Sequence, residues 1–159
     1  MISEQVARKG LVMARDLALQ SICQKMRFGA VVIDEHDGLI GFGFNQPLVP
    51  QLCCLREGIR SGTELEKCTA YHAEQVAMTS ALSLVGDLDR LRGATVVVAG
   101  LHPDGREWLR DTFPCSICAR MMVALNLGYL VMPSPEGYRM IPAIQALAEA
   151  LVVATTEPS

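Results

Sequence analysis

Apolar residues recur at helical spacing through the first twenty positions, where Val6, Met13 and Leu17 sit among scattered charges, and the pattern predicts an opening helix. The period then changes. "FGAVVID" (28–34) is a short apolar, β-branched run that reads as a buried strand; "EHDG" supplies an Asp-Gly turn, and "LIGFGFN" (39–45) returns as a second strand. Residues 46–69 hold two prolines, two glycines and no clean period, which predicts an irregular excursion with a short helical turn at 54–58. A segment this long inside a compact domain is either functional or tied down. From His72 to Val85 the positions Val76, Ala77, Ala81 and Leu84 restore a helical rhythm, and Gly86 stops it. "GATVVVAG" (93–100) has the composition of a strand covered on both faces. "LHPDGREWLRDTF" (101–113) reads as a turn with a strand-like return, and "PCSICARMMVALNLG" (114–128) as a helix with Pro114 before it and Gly128 after it. "YLVMPS" is a further strand, and residues 139–153 are expected to close the domain as a helix. The order α-β-β-α-β-α-β-α predicts an α/β domain whose mixed central sheet is sandwiched by helices in three layers.

Size and charge narrow the partners. A chain of 159 residues, half of them hydrophobic, suits one compact domain over 1–159 that buries its own core without a staple. A formal charge of −3 argues against a protein that grips nucleic acid through a basic face and favours a small-molecule partner. The opening segment lacks the uninterrupted apolar core of a signal peptide, and no run is long enough to span a bilayer. The expectation is a reducing cytoplasm, where closely spaced cysteines are more often metal ligands or catalytic groups than bridges.

Two motifs carry the chemistry. "HAE" (72–74) opens one predicted helix and "PCSIC" (114–118) opens another. A C-x-x-C pair at a helix start presents both sulfurs on one side of the first turn, where the helix N-terminus favours thiolate. With one imidazole these make three zinc ligands, His72, Cys115 and Cys118, and leave a fourth position open for water, the arrangement of a catalytic site. Glu74 is placed to act as a general base beside them. Taken singly, His72 fits a core or capping histidine, and the cysteine pair fits a redox motif or a structural zinc completed by another cysteine. A redox pair has no need of His72 and Glu74, and a structural zinc has no need of a general base.

H-x-E with P-C-x-x-C is the signature of zinc deaminases, and the chain resembles the cytidine and deoxycytidylate deaminase superfamily. The resemblance implies a three-layer cytidine deaminase-like fold, zinc on His72, Cys115 and Cys118, and Glu74 moving protons while the amino group of a base is replaced and ammonia leaves. "FGAVVID" with "GFGFN", and "CLREGIRSGTELEKCTAYHAEQ", are similar to the deoxycytidylate deaminase-like branch, which implies a contact between Asn45 and the nucleoside sugar. It also implies a second, structural zinc among Cys23, Cys53, Cys54 and Cys68, whose bland reading is four small buried residues. Arg56 and Arg60 are either solvated charges or grips for a substrate phosphate. The expected reaction is dCMP to dUMP; the alternatives are deamination of guanine, cytidine or tRNA adenosine, or a non-catalytic zinc-stabilised module. The tRNA reading suffers from a C-terminal segment, "SPEGYRMIPAIQALAEALVVATTEPS", with one arginine against three glutamates. The expected partner is a nucleotide, with like chains assembling as a homo-oligomer. The link "GLHPDGREWLRDTF" is longer than the direct strand-to-cysteine connection of better-known deaminases.

Overall fold

The structure is a computed structural model that describes residues 1–48, 54–59, 63–109 and 115–156. Helix α1 (Glu4–Ala18) starts at Ser3, whose hydroxyl accepts the Val6 N–H at 3.3 Å. Its buried side is Ala7, Gly10, Ala14 and Ala18, small residues that let the helix lie close on the sheet. Strands β1 (Arg27–Ile33) and β2 (Leu39–Phe44) form the predicted hairpin. At its turn the Asp34 carboxylate accepts the N–H groups of His36 and Gly38, and Asp37 takes a positive φ of 65°. Two short strands follow, β3 (Gln46–Pro47) and β4 (Ala70–Tyr71), then α2 (Ala73–Val85), β5 (Thr95–Leu101), α3 (Ser116–Ala124), β6 (Tyr129–Ser134), β7 (Gly137–Pro142) and α4 (Ala143–Thr155).

The main sheet has the order β2-β1-β5-β6-β7, and β5–β6 is its parallel pair. Successive strand residues point to opposite faces. Val31, Ile33, Val97 and Val131 pack with Ala7 beneath α1. Ala30, Val32, Val96, Val98, Leu130 and Met132 pack on the other face with Ala77 and Ala81 of α2, Met122 of α3 and Ala146 of α4. The layers are α1, the mixed sheet, and α2–α4, the expected α/β/α sandwich.

Two expectations are corrected. The pattern starts the closing helix at residue 139, but residues 137–142 form β7, paired antiparallel with β6 from Ser134↔Gly137 to Tyr129↔Pro142, and the helix starts at Ala143. Gly137, at φ 124°, makes the tight reversal that the pattern conceals. The pattern also makes Gly128 the stop of α3, yet that helix ends at Ala124 and Asn126 supplies the left-handed residue at φ 55°. Gly128 is needed for a different reason: a Cβ there would lie 2.7 Å from the Gly93 carbonyl oxygen. Among the described residues no helix is long and apolar enough to cross a membrane.

Candidate metal centre and active site

His72 is the N-cap of α2, held extended at φ −76° and ψ 150°. Its backbone N–H donates to Gln75 Oε1 at 3.0 Å, a side-chain cap that fixes where the imidazole leaves the chain. Just before it, the pair Gln46↔Tyr71 ties the segment to the residues leaving β2. Cys115 is the N-cap of α3, and its Sγ accepts the Cys118 N–H at 3.4 Å. The two helix starts therefore face each other. His72 Nδ1 lies 3.1 Å from Cys115 Sγ and 3.3 Å from Cys118 Sγ, and the sulfurs are 3.4 Å apart. Glu74, in the first turn of α2, is 8 % exposed, and its carboxyl is within hydrogen-bonding reach of the Cys118 thiol. Sequence spacing thus brings His72, Glu74, Cys115 and Cys118 to one place.

The electrostatics pair opposite charges. The Cys118 thiol bonded to Cys115 favours thiolate on Cys115 against the cost of burial, and with His72 it lowers the Cys115 pKa to about 4. The same sulfur contact, then burial and the neighbouring Glu74, push Cys118 upward. Burial opposes charge on His72, but its bonds to Cys115 and Cys68 outweigh that and raise the ring's pKa to about 11. Burial also raises Glu74, with His72 opposing.

This donor set fits zinc. Bonds of about 2.3 Å to sulfur and 2.0 Å to nitrogen place tetrahedral ligand atoms roughly 3.5–3.8 Å apart, so the three donors need to separate by only a few tenths of an ångström. Among the described residues, His72, Cys115 and Cys118 are the one set of three or more such donor atoms within 4.8 Å of one another, and none adds a fourth.

Residues 4–133 match the family described as the cytidine and deoxycytidylate deaminase zinc-binding region. The chain belongs to that family. No curated protein matches this deaminase-family chain significantly. Solved structures share its fold. A cytidine deaminase from Burkholderia pseudomallei aligns with a TM-score of 0.61 at 17% identity, covering 94% of this chain and 99% of that one. A dCMP deaminase from the cyanophage S-TIM5 gives 0.56 at 16%, covering 94% of each. A mutant cytidine deaminase from Mycobacterium tuberculosis gives 0.51 at 16%, covering 98% of this chain and 100% of that one.

The other predicted site residues of this deaminase-family chain are more dispersed. Asn45 is buried at the end of β2, where its Oδ1 accepts the Phe28 N–H at 2.8 Å and its Nδ2 donates to the Met26 carbonyl at 2.9 Å. Arg56, 8 % exposed, donates from Nη2 to the Thr63 carbonyl at 2.8 Å within its own loop. Cys53 and Arg60 lie outside the described residues. Cys23, Cys54 and Cys68 are free thiols, as are Cys115 and Cys118. Cys68 sits beside His72, whose bond lowers its pKa to about 7 against burial. A residue the sequence reading passed over stands among them. The Lys25 ammonium donates to the carbonyls of Arg56 (2.8 Å) and Ile59, with burial and Arg56 lowering its pKa and Cys54, Cys68 and Cys23 opposing. Its signal in the sequence is a single lysine two positions after Cys23, too common a pattern to be informative.

Proposed function

We propose that the protein is a hydrolytic deaminase of a cytosine nucleotide, converting dCMP to dUMP and ammonia. The observation that carries this reading is the pairing of a three-donor set with a buried carboxyl whose pKa burial raises. A site built only to brace the fold has no use for Glu74 there, whereas a deaminase needs one group that both takes and gives a proton. His72, Cys115 and Cys118 would hold zinc, which when bound supplies a Lewis acid that makes water a nucleophile at neutral pH. Glu74 accepts the proton of the attacking water and returns it to the amine nitrogen; the new C–O bond replaces C–N, and ammonia leaves. Its raised pKa suits both halves of that transfer. Asn45, with one amide N–H left after its backbone bonds, is assigned to the nucleoside sugar. Arg56 and Arg60 are assigned to the phosphate.

One observation favours a second reading, deamination of the free nucleoside: Arg56 already donates into its own loop. A further zinc at Cys23, Cys53, Cys54 and Cys68 is a separate proposal. It is supported by three of these thiols lying near enough to the Lys25 ammonium to favour its charge against burial and Arg56. Two zinc equivalents per chain, falling to one in Cys68→Ala, are expected by elemental analysis.

Ammonia release from zinc-loaded protein, measured over cytosine, adenine and guanine nucleosides and nucleotides, tests the main reading. dCMP should be fastest, and Glu74→Gln should keep zinc while slowing turnover by at least ~10². Absence of ammonia from every cytosine substrate overturns it, and equal rates on deoxycytidine and dCMP favour the nucleoside reading.

A further inference from the structure

The long link between β5 and Cys115 turns back on itself before it reaches α3. His102 N–H donates to the Arg106 carbonyl at 2.8 Å, Leu101 bridges Glu107, and Trp108 N–H donates to the Gly100 carbonyl at 2.9 Å. Cross-strand partners share a face of a sheet. Glu107, opposite Leu101, therefore points to the α1 side, and its carboxylate does meet Arg15 of α1 at 2.7 Å. Trp108, one residue on, points with Gly100 to the other face, the one that carries α2 and α3. Phe28 pairs with Gly100 from the far side. A Cβ on Gly100 would lie 2.6 Å from Phe28 Cε1 and 3.3 Å from Trp108 Cβ, so the glycine is the gap into which both aromatic residues close. The His102 ring stacks on Trp108 with centroids 5.2 Å apart.

This group is linked to the segment that carries His72 by a series of pairings. Gly100 pairs with Phe28, whose N–H is bonded to Asn45 Oδ1; the next residue, Gln46, pairs with Tyr71, which precedes His72. Phe28 also packs on the core cluster that contains Ala73 at the start of α2. Trp108 Nε1 is buried and has no hydrogen-bond partner among the described residues. An indole N–H is a donor only, and a buried donor left unmet is costly, so this one is free to take an acceptor that a ligand brings. On the turn the Arg106 guanidinium is bound to Asp104 at 2.7 Å, and an indole N–H brings no charge of its own, which suits a neutral oxygen as its partner.

We propose that Trp108, braced by Phe28 and His102 over Gly100, is a specificity-determining residue of the deaminase, its ring forming a wall for the substrate and its indole N–H donating to a neutral oxygen, the base carbonyl or a sugar hydroxyl. The inference rests on the deaminase reading. Trp108 is the chain's single tryptophan, so indole emission reports this residue alone. Titrating zinc-loaded protein with deoxyuridine or dUMP should change that emission saturably. Trp108→Phe keeps the ring and deletes the donor, so it should raise KM about 5- to 10-fold with kcat within about twofold and zinc content unchanged. A penalty that persists on free cytosine identifies the base carbonyl as acceptor; one confined to nucleosides identifies the sugar hydroxyl. Active protein whose emission is unmoved by product that calorimetry shows to be bound, or whose Trp108→Phe variant keeps the wild-type KM, overturns the inference and leaves the deaminase reading standing. Zinc-loaded protein with no turnover at all sinks the deaminase reading itself.

Discussion

Protonation at the metal centre can be followed residue by residue. At pH 7 a His72 with a pKa near 11 carries its extra proton, Cys118 with its raised pKa is a neutral thiol, and Cys115 with a pKa near 4 is already thiolate. Zinc requires a neutral imidazole and two thiolates. Binding therefore expels two protons, one from His72 and one from Cys118, and none from Cys115. Because the metal-free form binds more protons, raising the pH favours the zinc form, by about 100-fold in affinity per unit near neutrality. Calorimetric titration of metal-free protein in buffers of different ionisation enthalpy should give about two protons released per zinc bound at this site; a value near zero means that the ring is neutral and both sulfurs are already thiolates in the metal-free protein. These four residues are legible in the sequence because their spacing is set by short-range geometry. His-x-Glu and Cys-x-x-Cys each fit within one helical turn, so a helix start is enough to aim them.

At the scale of elements, the position of His72 depends on how closely α2 lies on β2. Gly41 and Gly43 make that approach possible. A Cβ on Gly41 would lie 2.4 Å from the Ala77 carbonyl oxygen, and one on Gly43 would lie 2.6 Å from Val76 Cγ1 and 2.8 Å from the Ala77 nitrogen. These neighbours are backbone and the first two turns of the helix, so they cannot give way singly. Gly43→Val should lift the N-terminal half of α2, move His72 away from Cys115 and Cys118, and destabilise the fold by about 1–3 kcal/mol. The expected result is a lower Tm together with zinc content and turnover that fall together. A variant that loses stability yet keeps full zinc and kcat would show that the helix tolerates displacement without carrying the site. The spacing of the two glycines is visible in "GFGF", but what they meet is not, because contact between β2 and α2 spans thirty residues of sequence. The same limit hides β7. Gly137 starts a strand that β6 recruits as its partner, and nothing within residues 137–142 alone distinguishes that strand from the first turn of the helix that follows.

For the whole molecule, the order of strands explains why a metal would contribute stability as well as chemistry. His72 arrives from the β2 edge of the sheet, and the cysteines arrive after β5, near its middle. The donors of the site thus belong to chain segments more than forty residues apart, held over a shared core of Ala73, Ala77 and Met122. The layered architecture is predictable from the alternation of periods, since strands covered on both faces and helices with one apolar side admit few arrangements. How the loop over 46–69 closes is not, since Lys25 holds it through carbonyl oxygens, which every sequence possesses. An ion that joins α2 to α3 stabilises only the folded state. Free zinc at ~100–1,000 times its Kd adds about 3–4 kcal/mol, which for a chain of this size corresponds to a Tm rise of roughly 6–16 °C. Removing zinc by chelation should therefore lower Tm within that range, and restoring it should reverse the change. Cys115→Ser should lose this contribution and keep only the response to chelation that the second proposed ion gives. A chelator that leaves the wild-type Tm unchanged while abolishing turnover would show that the sheet and its two cores already hold α2 and α3 in register, and that the ion serves the reaction alone.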